Sequence, residues 1–480
     1  MIHWMVALGV ALAAPVPDLS RHYFKNLKRE AAWEVKVEGE SGPLILIIVD
    51  ALRPDRMGAY GFTRPTTPAL DALADDGLIL TSFFVNSNWT RPSTATILTG
   101  RLPSEHGVQG HRARLSGAEP VFPEVLQKRG VPTGAVIGNG NAGSAFGLDR
   151  GFDYYADTVK HWKGLPSAEE VVKLAVPFVE KHQKERFFLV LFLVDPHDPY
   201  HAPGEFETMF VPDPTVELVR TPHWERGRYT PKVVERMKAT YDGAVRYTDT
   251  VLGKFFKELR RLGVYDKATI MVTADHGEAF GEHGVFLHSH HFYEELIRVP
   301  FVLRAPSMSR RGVYSPYLFD TRDLAPAILG HFGARFKVPT EGIDLLRSLG
   351  DPSLHDPARA IVSEFHNFGI RRQAIRTYER KLVLQEPADR EEFMATVGNP
   401  ALLPSVNFTE EVVERYDLRA DPFERRSLPL PLGKEAAPWR RLKAALKSVG
   451  AEAPKVKGVP EVKAIDAETE RDLKAMGYIQ

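Results

Sequence analysis

The chain has 480 residues, of which 43% are hydrophobic, so it can bury a large core and is neither a disordered nor a fibrous protein. Its 62 Lys and Arg residues balance 62 Asp and Glu residues, so no overall charge draws it to nucleic acid or to an anionic membrane. The sequence contains no cysteine, which excludes disulfide bonds, thiolate metal sites and cysteine nucleophiles.

The N-terminal segment, residues 1–42, allows two interpretations. Its apolar stretch from residue 4 to residue 14 is too short to span a bilayer, and small residues follow it as in an export signal. No Lys or Arg precedes Arg21, although export signals begin with a positive region. The localisation is therefore open between export, to a periplasm or outside the cell, and the cytoplasm.

Apolar runs and helical patterns alternate through residues 43–340, which predicts a layered α/β sheet. The apolar runs cover residues 44–49, 187–194 and 269–273, and the helical patterns cover residues 68–76, 168–184 and 232–262. Polar residues follow each apolar run, among them Asp50, Asp195 and Asp275. Because ligands of open α/β sheets bind beyond the carboxyl ends of the strands, these three segments should meet in one crevice.

The remainder of the chain has a different pattern. Residues 341–450 contain shorter segments, such as 374–377 and 381–384, that predict a C-terminal subdomain with a small antiparallel sheet. Residues 451–480 predict a helical tail, which is amphipathic over residues 466–476.

The segment from Asn88 to Arg101 contains a candidate anion site. Pro92 suits the first turn of a helix and Gly100 suits its end, so Thr90 is predicted at or just before a helix N-terminus. Free backbone N–H groups and the positive end of the helix dipole favour a tetrahedral anion there. An ordinary helix cap is the alternative role for Thr90.

Seven motifs, in order and at familiar spacing, resemble the N-terminal domain of the sulfatases, which belong to the alkaline phosphatase superfamily. They are Val49-Asp50-Ala51-Leu52-Arg53, Pro92-Ser93 to Thr99-Gly100-Arg101, Glu105-His106-Gly107-Val108, Asp195-Pro196-His197-Asp198-Pro199-Tyr200, Thr273-Ala274-Asp275-His276-Gly277-Glu278, Gly281-Glu282-His283-Gly284, and Tyr293-Glu294-Glu295 with Val299-Pro300. Further segments resemble the family's C-terminal part, namely Tyr416-Asp417-Leu418, Asp421-Pro422-Phe423-Glu424 and Met476-Gly477-Tyr478. The resemblance implies an alkaline-phosphatase-like layered sheet with helices on both faces and a small C-terminal α+β subdomain.

The resemblance also implies a metal site. Asp50, Asp275 and His276 would bind one divalent ion, and residue 90 would be both a ligand and the nucleophile. Carboxylates with one imidazole suit Ca²⁺, Mn²⁺, Mg²⁺ or Zn²⁺. A metal that contacts the hydroxyl of Thr90 would favour its alkoxide, which a bare alcohol hardly supplies at neutral pH.

Two residues depart from the sulfatase pattern. Sulfatases carry, at the position of Thr90, a cysteine or serine that is oxidised to formylglycine; oxidation of a threonine would give a ketone, so formylglycine is not expected. Threonine is the nucleophile in relatives that cleave or transfer phosphodiesters, which favours a phosphodiester or phosphonate ester as substrate. Thr94 stands where sulfatases carry an arginine, and Arg91 is the preferred source of the missing positive charge, with Arg53 and Arg101 as alternatives.

Two histidines complete the predicted catalytic set. In sulfatases the histidine that matches His197 contacts the ester group, so His197 is predicted to bind the substrate or to protonate the leaving group. His288 falls where many sulfatase-like sequences carry a histidine shortly before Tyr-Glu-Glu. A second metal ion held by Asp195, His197, His288 and His290 is an alternative to the one-metal site.

The leading hypothesis is a metal-dependent hydrolase of sulfate or phosphate esters that forms a covalent Thr90 intermediate on a small-molecule, glycan or lipid ester. A phosphoryl-group transferase of the lipoteichoic acid synthase or phosphoethanolamine transferase type is the second hypothesis, although such relatives commonly carry membrane spans and none is visible in this sequence. A catalytically silent binding domain is the third, motivated by Thr90 and Thr94. No nucleic-acid-binding motif is present, and the oligomeric state is not determined by the sequence.

Overall fold

The computed structural model of the chain describes residues 16–37, 42–157, 165–200, 202–218, 229–289, 291–397 and 405–449. The apolar N-terminal stretch, the predicted helical tail and His290 therefore lie outside the described residues. In the ranges that are described, no helix combines the length and the apolar character that crossing a membrane requires.

A nine-stranded sheet forms the centre of the fold. Its strands in chain order are β1 (Glu30–Ala31), β2 (Leu44–Val49), β3 (Leu78–Leu80), β4 (Thr133–Ile137), β5 (Tyr154–Asp157), β6 (Phe188–Leu193), β7 (Thr269–Thr273), β8 (Phe301–Arg304) and β9 (Val313–Ser315). Their order across the sheet is β1-β9-β3-β8-β7-β2-β6-β4-β5. Strand β8 is antiparallel to both neighbours, and all other neighbouring pairs are parallel.

The three central strands explain the three apolar runs of the sequence. Strands β2, β6 and β7 are buried along their whole length, and their side chains are apolar except for the terminal residues of β7, Thr269 and Thr273. Because β2 pairs in parallel with both β6 and β7, the carboxyl ends of all three lie at one edge. This arrangement confirms the layered α/β sheet that the sequence predicts.

The described residues contain twelve α-helices, several of which flank the sheet. They are α1 (Ser20–Tyr23), α2 (Pro68–Asp75), α3 (Thr90–Thr99), α4 (Pro103–His106), α5 (Phe122–Gln127), α6 (Ala168–His182), α7 (Pro231–Arg261), α8 (Glu294–Ile297), α9 (Leu324–His331), α10 (Leu345–Leu349), α11 (Arg390–Thr396) and α12 (Ala437–Ser448). Gly134 shows how closely one helix approaches: a Cβ on this residue of β4 would lie 2.9 Å from the ring of Phe178 in α6. The helical patterns of the sequence correspond to α2, α6 and α7.

One element was not expected from the sequence. The segment before residue 42 has no clear pattern, yet β1 extends the central sheet by pairing Glu30 with Val313 and Ala31 with Tyr314 of β9. A strand of two residues is too short for alternation to be recognised, so only tertiary pairing reveals it.

The small C-terminal subdomain contains a four-stranded antiparallel sheet, as predicted. Its strands are β10 (Ile361–Asn367), β11 (Ile370–Arg376), β12 (Arg380–Gln385) and β13 (Val412–Asp417), paired in that order. A buried ion pair joins it to the main body, because the Lys381 ammonium is 3.5 Å from Glu294 of α8. The same ammonium is 2.6 Å from Glu424, which belongs to the C-terminal part. The domain boundary near residue 340 stays a prediction.

A second contact with the C-terminal segment depends on protonation. His283 lies in the turn of a short hairpin formed by Ala279–Phe280 and Phe286–Leu287. Its Nδ1 is 2.7 Å from Glu295 Oε1, and its Nε2 is 2.9 Å from the carbonyl oxygen of Phe423. Both partners only accept hydrogen bonds, so both contacts form together only when the ring is protonated. Burial acts to lower the pKa of His283, but the hydrogen bond and charge of Glu295 outweigh it and raise the pKa above its usual value.

We expect His283 to stabilise the fold fully below about pH 6.5, the ordinary histidine pKa, and to lose this contribution as the pH rises through its higher folded-state pKa. Thermal unfolding of the wild type and of His283→Gln across this pH range tests whether the stabilisation by His283 decreases as the pH rises. The wild type should be the more stable protein at the acidic end, and the two unfolding midpoints should converge at the alkaline end. A difference that does not change with pH would show that the protonated contact is absent.

Candidate active site

Three side chains converge beyond the carboxyl ends of β2 and β7. Asp50 directly follows β2, and Asp275 and His276 follow β7 after one intervening residue. All three are fully buried, and one ligand atom from each lies within 4.8 Å of the others. Among the described residues, this is the one group of acidic and histidine side chains arranged to hold a metal ion.

His276 presents one ring nitrogen to both carboxylates. Its Nδ1 is 2.9 Å from the carbonyl oxygen of Gly277, which can only accept, so Nδ1 carries the hydrogen and Nε2 presents a lone pair. Nε2 is 3.4 Å from Asp50 Oδ1 and 3.5 Å from Asp275 Oδ2. A lone pair and two carboxylate oxygens therefore face one another.

This cluster of acceptors fits a divalent cation. Asp50 Oδ1 and Asp275 Oδ2 are buried and have no hydrogen-bond partner among the described residues, although buried acceptors normally have one. Burial, followed by the charge of Asp275, raises the pKa of Asp50 well above its usual value, and burial lowers the pKa of His276. A cation would offset both carboxylate charges and use the imidazole lone pair.

Thr90 adds a hydroxyl to the cluster. It is the first residue of α3; the preceding residue, Trp89, is extended (φ −157°, ψ 160°), and Gly100 ends the helix in the left-handed conformation (φ 68°). These are the helix start and end that the sequence predicts. Thr90 Oγ1 is buried and lies 3.4 Å from His276 Nε2. The hydroxyl therefore lies at a helix N-terminus, where backbone N–H groups and the dipole favour an anion.

The segment that leads into α3 is held from two sides. Asn86 Nδ2 donates to the carbonyl oxygen of Val362 at 2.7 Å, and Ser87 Oγ donates to that of Glu364 at 2.9 Å, both in β10. Asn88 Nδ2 donates to the carbonyl oxygen of His291 at 2.7 Å. The C-terminal subdomain thus helps to fix the start of the helix that carries Thr90.

Two further histidines lie beside His276. The ring centroid of His288 is 4.2 Å from that of His276, and the centroid of His197 is 4.8 Å from that of His288. Glu278 Oε1 is 3.1 Å from His288 Nδ1, and the carbonyl oxygen of Asp198 is 2.7 Å from His197 Nδ1. The structure therefore gathers both histidines near the acceptor cluster, while their catalytic roles stay predictions.

Three non-glycine residues next to the site have a left-handed backbone. Ala51, which follows Asp50, has φ 57°, and Leu287 and Ser289, which flank His288, have φ 63° and 83°. Such conformations cost about 1–3 kcal/mol each and persist only where the surrounding structure imposes them. These residues lie where the chain leaves β2 and where it leaves the hairpin strand Phe286–Leu287.

Arg91 makes different contacts from the other predicted residues. Its guanidinium carbon lies 3.4 Å from the ring centroid of Phe146, and it donates to Asn141 Oδ1 at 2.7 Å and to the carbonyl oxygen of His111. The side chain is fully buried, and burial lowers the pKa of Arg91 to about 9. Whether its charge acts on the substrate stays a prediction.

Asn139 is a site residue that the sequence interpretation missed. Its Nδ2 donates to Asp50 Oδ2 and lies 3.3 Å from Thr90 Oγ1. It follows β4, an apolar run with polar residues after it, and β4 is parallel to β6 and thus ends at the same edge as β2. The rule that identified Asp50 and Asp275 would have identified Asn139 if it had been applied to this fourth strand.

The described residues, which do not include His290, contain no second group of side chains arranged for a metal. Asp195, one of the residues considered for a second ion, accepts a hydrogen bond at 3.2 Å from the backbone N–H of Ala168, the first residue of α6. Burial raises the pKa of Asp195 to about 7. In the structure, Asp195 therefore contacts the N-terminal residue of α6.

A family model described as sulfatase matches residues 43–334. The chain belongs to the sulfatase family. An ulvan-active sulfatase of Formosa agariphila is 26% identical over 351 residues, which cover 66% of this chain and 67% of that protein. An arylsulfatase of Clostridium perfringens is 22% identical over 444 residues, which cover 78% of this chain and 92% of the arylsulfatase.

Solved structures share the fold of this chain. The phosphonate monoester hydrolase of Agrobacterium radiobacter superimposes with a TM-score of 0.68 at 18% identity, over 85% of this chain and 96% of that one. A protein solved in complex with its substrate D-glucosamine-2-N,6-O-disulfate gives a TM-score of 0.71 at 18% identity, over 87% of this chain and 99% of that one. This sulfatase-family protein is thus a hydrolase of ester bonds with an alkaline-phosphatase-like fold.

Proposed function

We propose that this sulfatase-family protein hydrolyses phosphodiesters or phosphonate esters in preference to sulfate esters, with Thr90 as its nucleophile. The observation that carries the proposal is the position of Thr90 Oγ1, which lies 3.4 Å from His276 Nε2. The same nitrogen faces Asp50 Oδ1 and Asp275 Oδ2, and neither oxygen has a hydrogen-bond partner among the described residues.

One divalent cation, Ca²⁺, Mn²⁺, Mg²⁺ or Zn²⁺, would be held by Asp50, Asp275, His276 and the Thr90 hydroxyl. When bound, it would supply a Lewis acid that favours the alkoxide and offsets negative charge in the transition state. Formylglycine is not part of the proposal, because the oxidation of threonine gives a ketone and the chain has no cysteine.

Thr90 would attack phosphorus, so that the Oγ1–phosphorus bond forms while the bond from phosphorus to the leaving oxygen breaks. The hydroxyl proton ends on the leaving alcohol, and His197 or His288 would carry it there. Water then attacks the phosphorus of the Thr90 ester and the bond from Oγ1 to phosphorus breaks. One proton of the water returns to Oγ1, and a phosphodiester substrate leaves as a phosphate monoester, whereas a phosphonate monoester leaves as the free phosphonate. The N-terminus of α3 would stabilise the anionic group throughout.

A glycan ester is the favoured substrate. Relatives with similar sequences include the ulvan-active sulfatase and an N-acetylglucosamine-6-O-sulfatase of Bacteroides thetaiotaomicron, which is 22% identical over 402 residues. Small-molecule and lipid esters stay alternatives.

A panel of paired aryl substrates tests the proposal. An aryl sulfate, a phosphomonoester, a phosphodiester and a phosphonate monoester are assayed with each of the four metals. We expect the phosphodiester or the phosphonate to give the highest kcat/KM, whereas a preference for the sulfate would contradict the assignment based on Thr90. Transfer of the phosphoryl group to an added alcohol would identify a transferase, and no turnover of any ester would support a silent binding domain.

A further inference from the structure

Asn139 contacts both groups on which the proposed chemistry depends. Its two amide hydrogens are directed to two acceptors: Nδ2 donates to Asp50 Oδ2 and lies 3.3 Å from Thr90 Oγ1. All three side chains are buried, so water does not compete for these bonds. Asn139 therefore ties the candidate nucleophile to a candidate metal ligand through one side chain.

The amide is itself held in a fixed orientation. Asn139 Oδ1 accepts a hydrogen bond at 2.8 Å from the backbone N–H of Asn141, so the other end of the amide, Nδ2, is turned toward Asp50 and Thr90. The side-chain oxygen of Asn141 accepts from the Arg91 guanidinium at 2.7 Å. Arg91 in turn is fixed by the Phe146 ring and by the carbonyl oxygen of His111.

This arrangement has a defined chemical consequence. A hydrogen bond donated to a hydroxyl oxygen becomes stronger as that oxygen acquires negative charge, so the Asn139 amide favours the alkoxide of Thr90 over the alcohol. The second bond, to Asp50, fixes the carboxylate with its other oxygen, Oδ1, 3.4 Å from His276 Nε2. An amide performs both tasks without adding a charge of its own to a site that already contains two carboxylates.

We propose that Asn139 is a catalytic residue that stabilises the Thr90 oxygen and orients Asp50, and that Arg91 is a positioning residue that acts through Asn141 on Asn139. The first part rests on the proposed role of Thr90 as nucleophile. The orientation of Asp50 does not, because that contact is independent of which group attacks the ester.

Asn139→Leu removes the donor and keeps a side chain of similar size. We expect kcat at saturating Mn²⁺ to fall about 10²- to 10³-fold, as for the loss of one preorganised donor to a developing oxyanion, with KM little changed. Calorimetric titration with Mn²⁺ should show affinity weakened about 10- to 100-fold, as for the loss of a group that orients a metal ligand. If this variant does not fold, Asn139→Ala, which adds no atoms, replaces it.

Thr133→Val is the matched control, because Thr133 lies at the opposite end of β4 and its buried hydroxyl donates to the carbonyl oxygen of Gly151. We expect this variant to unfold at a lower temperature with unchanged kcat and Mn²⁺ affinity. An Asn139 variant that behaves in the same way would overturn the proposal. Weakened Mn²⁺ affinity in Asn139→Leu, together with full activity in a Thr90 variant, would refute the nucleophile and leave the orientation of Asp50 intact.

A double-mutant cycle tests the role of Arg91. Arg91→Lys keeps the charge but cannot reproduce the planar set of donors, so Asn141 loses its support. If Arg91 acts through Asn139, Arg91→Lys should lower kcat severalfold in the wild type and have little further effect in Asn139→Leu. Effects that multiply would show that Arg91 acts on the substrate directly and would overturn this part of the proposal.

Discussion

Thr90→Ala is expected to lower kcat for the best ester substrate by at least about 10⁴-fold, because it removes the atom that forms the covalent intermediate. The loss should not come from unfolding. Trp89 and not Thr90 is the N-cap residue of α3, and the hydrogen bond from Thr94 Oγ1 goes to the backbone carbonyl of Thr90, which the substitution leaves in place. Steady-state kinetics and the midpoint of thermal unfolding, measured on the same preparation, check both statements.

Thr90→Ser is the matched control for this experiment. It keeps the hydroxyl and removes only a methyl group, so we expect its kcat to stay within about tenfold of the wild type. Mass spectrometry of the acid-quenched wild type during turnover should show the phosphoryl or phosphonyl group on the peptide that contains Thr90. Activity that survives Thr90→Ala would mean that another group, or water itself, attacks the ester.

Asp275→Asn is expected to change stability in opposite directions with and without metal. In the metal-free protein the charge of Asp275 opposes the ionisation of Asp50, so its removal should raise the unfolding midpoint. With metal at 100 times its Kd, the wild type should gain about 2.7 kcal/mol of stability, whereas the variant should gain little. Loss of the cation's contribution should also lower kcat by at least about 10³-fold.

Thermal unfolding in chelator and in excess Mn²⁺ or Ca²⁺ measures this reversal. Asp266→Asn serves as the control, since it removes an acidic side chain that is 87% exposed and 4.0 Å from its nearest arginine nitrogen. The unfolding midpoint of Asp266→Asn should match that of the wild type both in chelator and in excess metal. If Asp275→Asn responds to metal as the wild type does, Asp275 does not bind the ion.

The central sheet could be predicted because its physical cause is visible in the sequence. Strands that are buried on both faces are largely apolar, and β2 and β6 are apolar throughout, whereas β7 is apolar between its two terminal threonines, Thr269 and Thr273. Strand β1 could not be predicted, because its two residues are defined by their pairing with β9 alone. The hydrogen bond between β10 and the segment that leads into α3 could not be predicted either, because Asn86 and Val362 are far apart in the chain.

The candidate site, like the sheet, has parts that could be predicted from the sequence and parts that could not. Asp50, Asp275 and His276 follow apolar strands inside recognisable motifs, and Thr90 is framed by residues that start and end a helix, so their meeting could be expected. The direction in which a side chain points could not be predicted from the sequence. The Arg91 guanidinium contacts Phe146 and Asn141, although the position of Arg91 next to Thr90 in the sequence suggested contact with the ester.

Anomalous diffraction from crystals grown with Mn²⁺ tests the central claim most directly. We expect one peak enclosed by the carboxylates of Asp50 and Asp275, Nε2 of His276 and Oγ1 of Thr90, and no such peak in Asp275→Asn crystals. A Mn²⁺ ion bound elsewhere, or bound at the two carboxylates with the Thr90 hydroxyl turned away, would contradict the assignment of Thr90 as a metal-activated nucleophile.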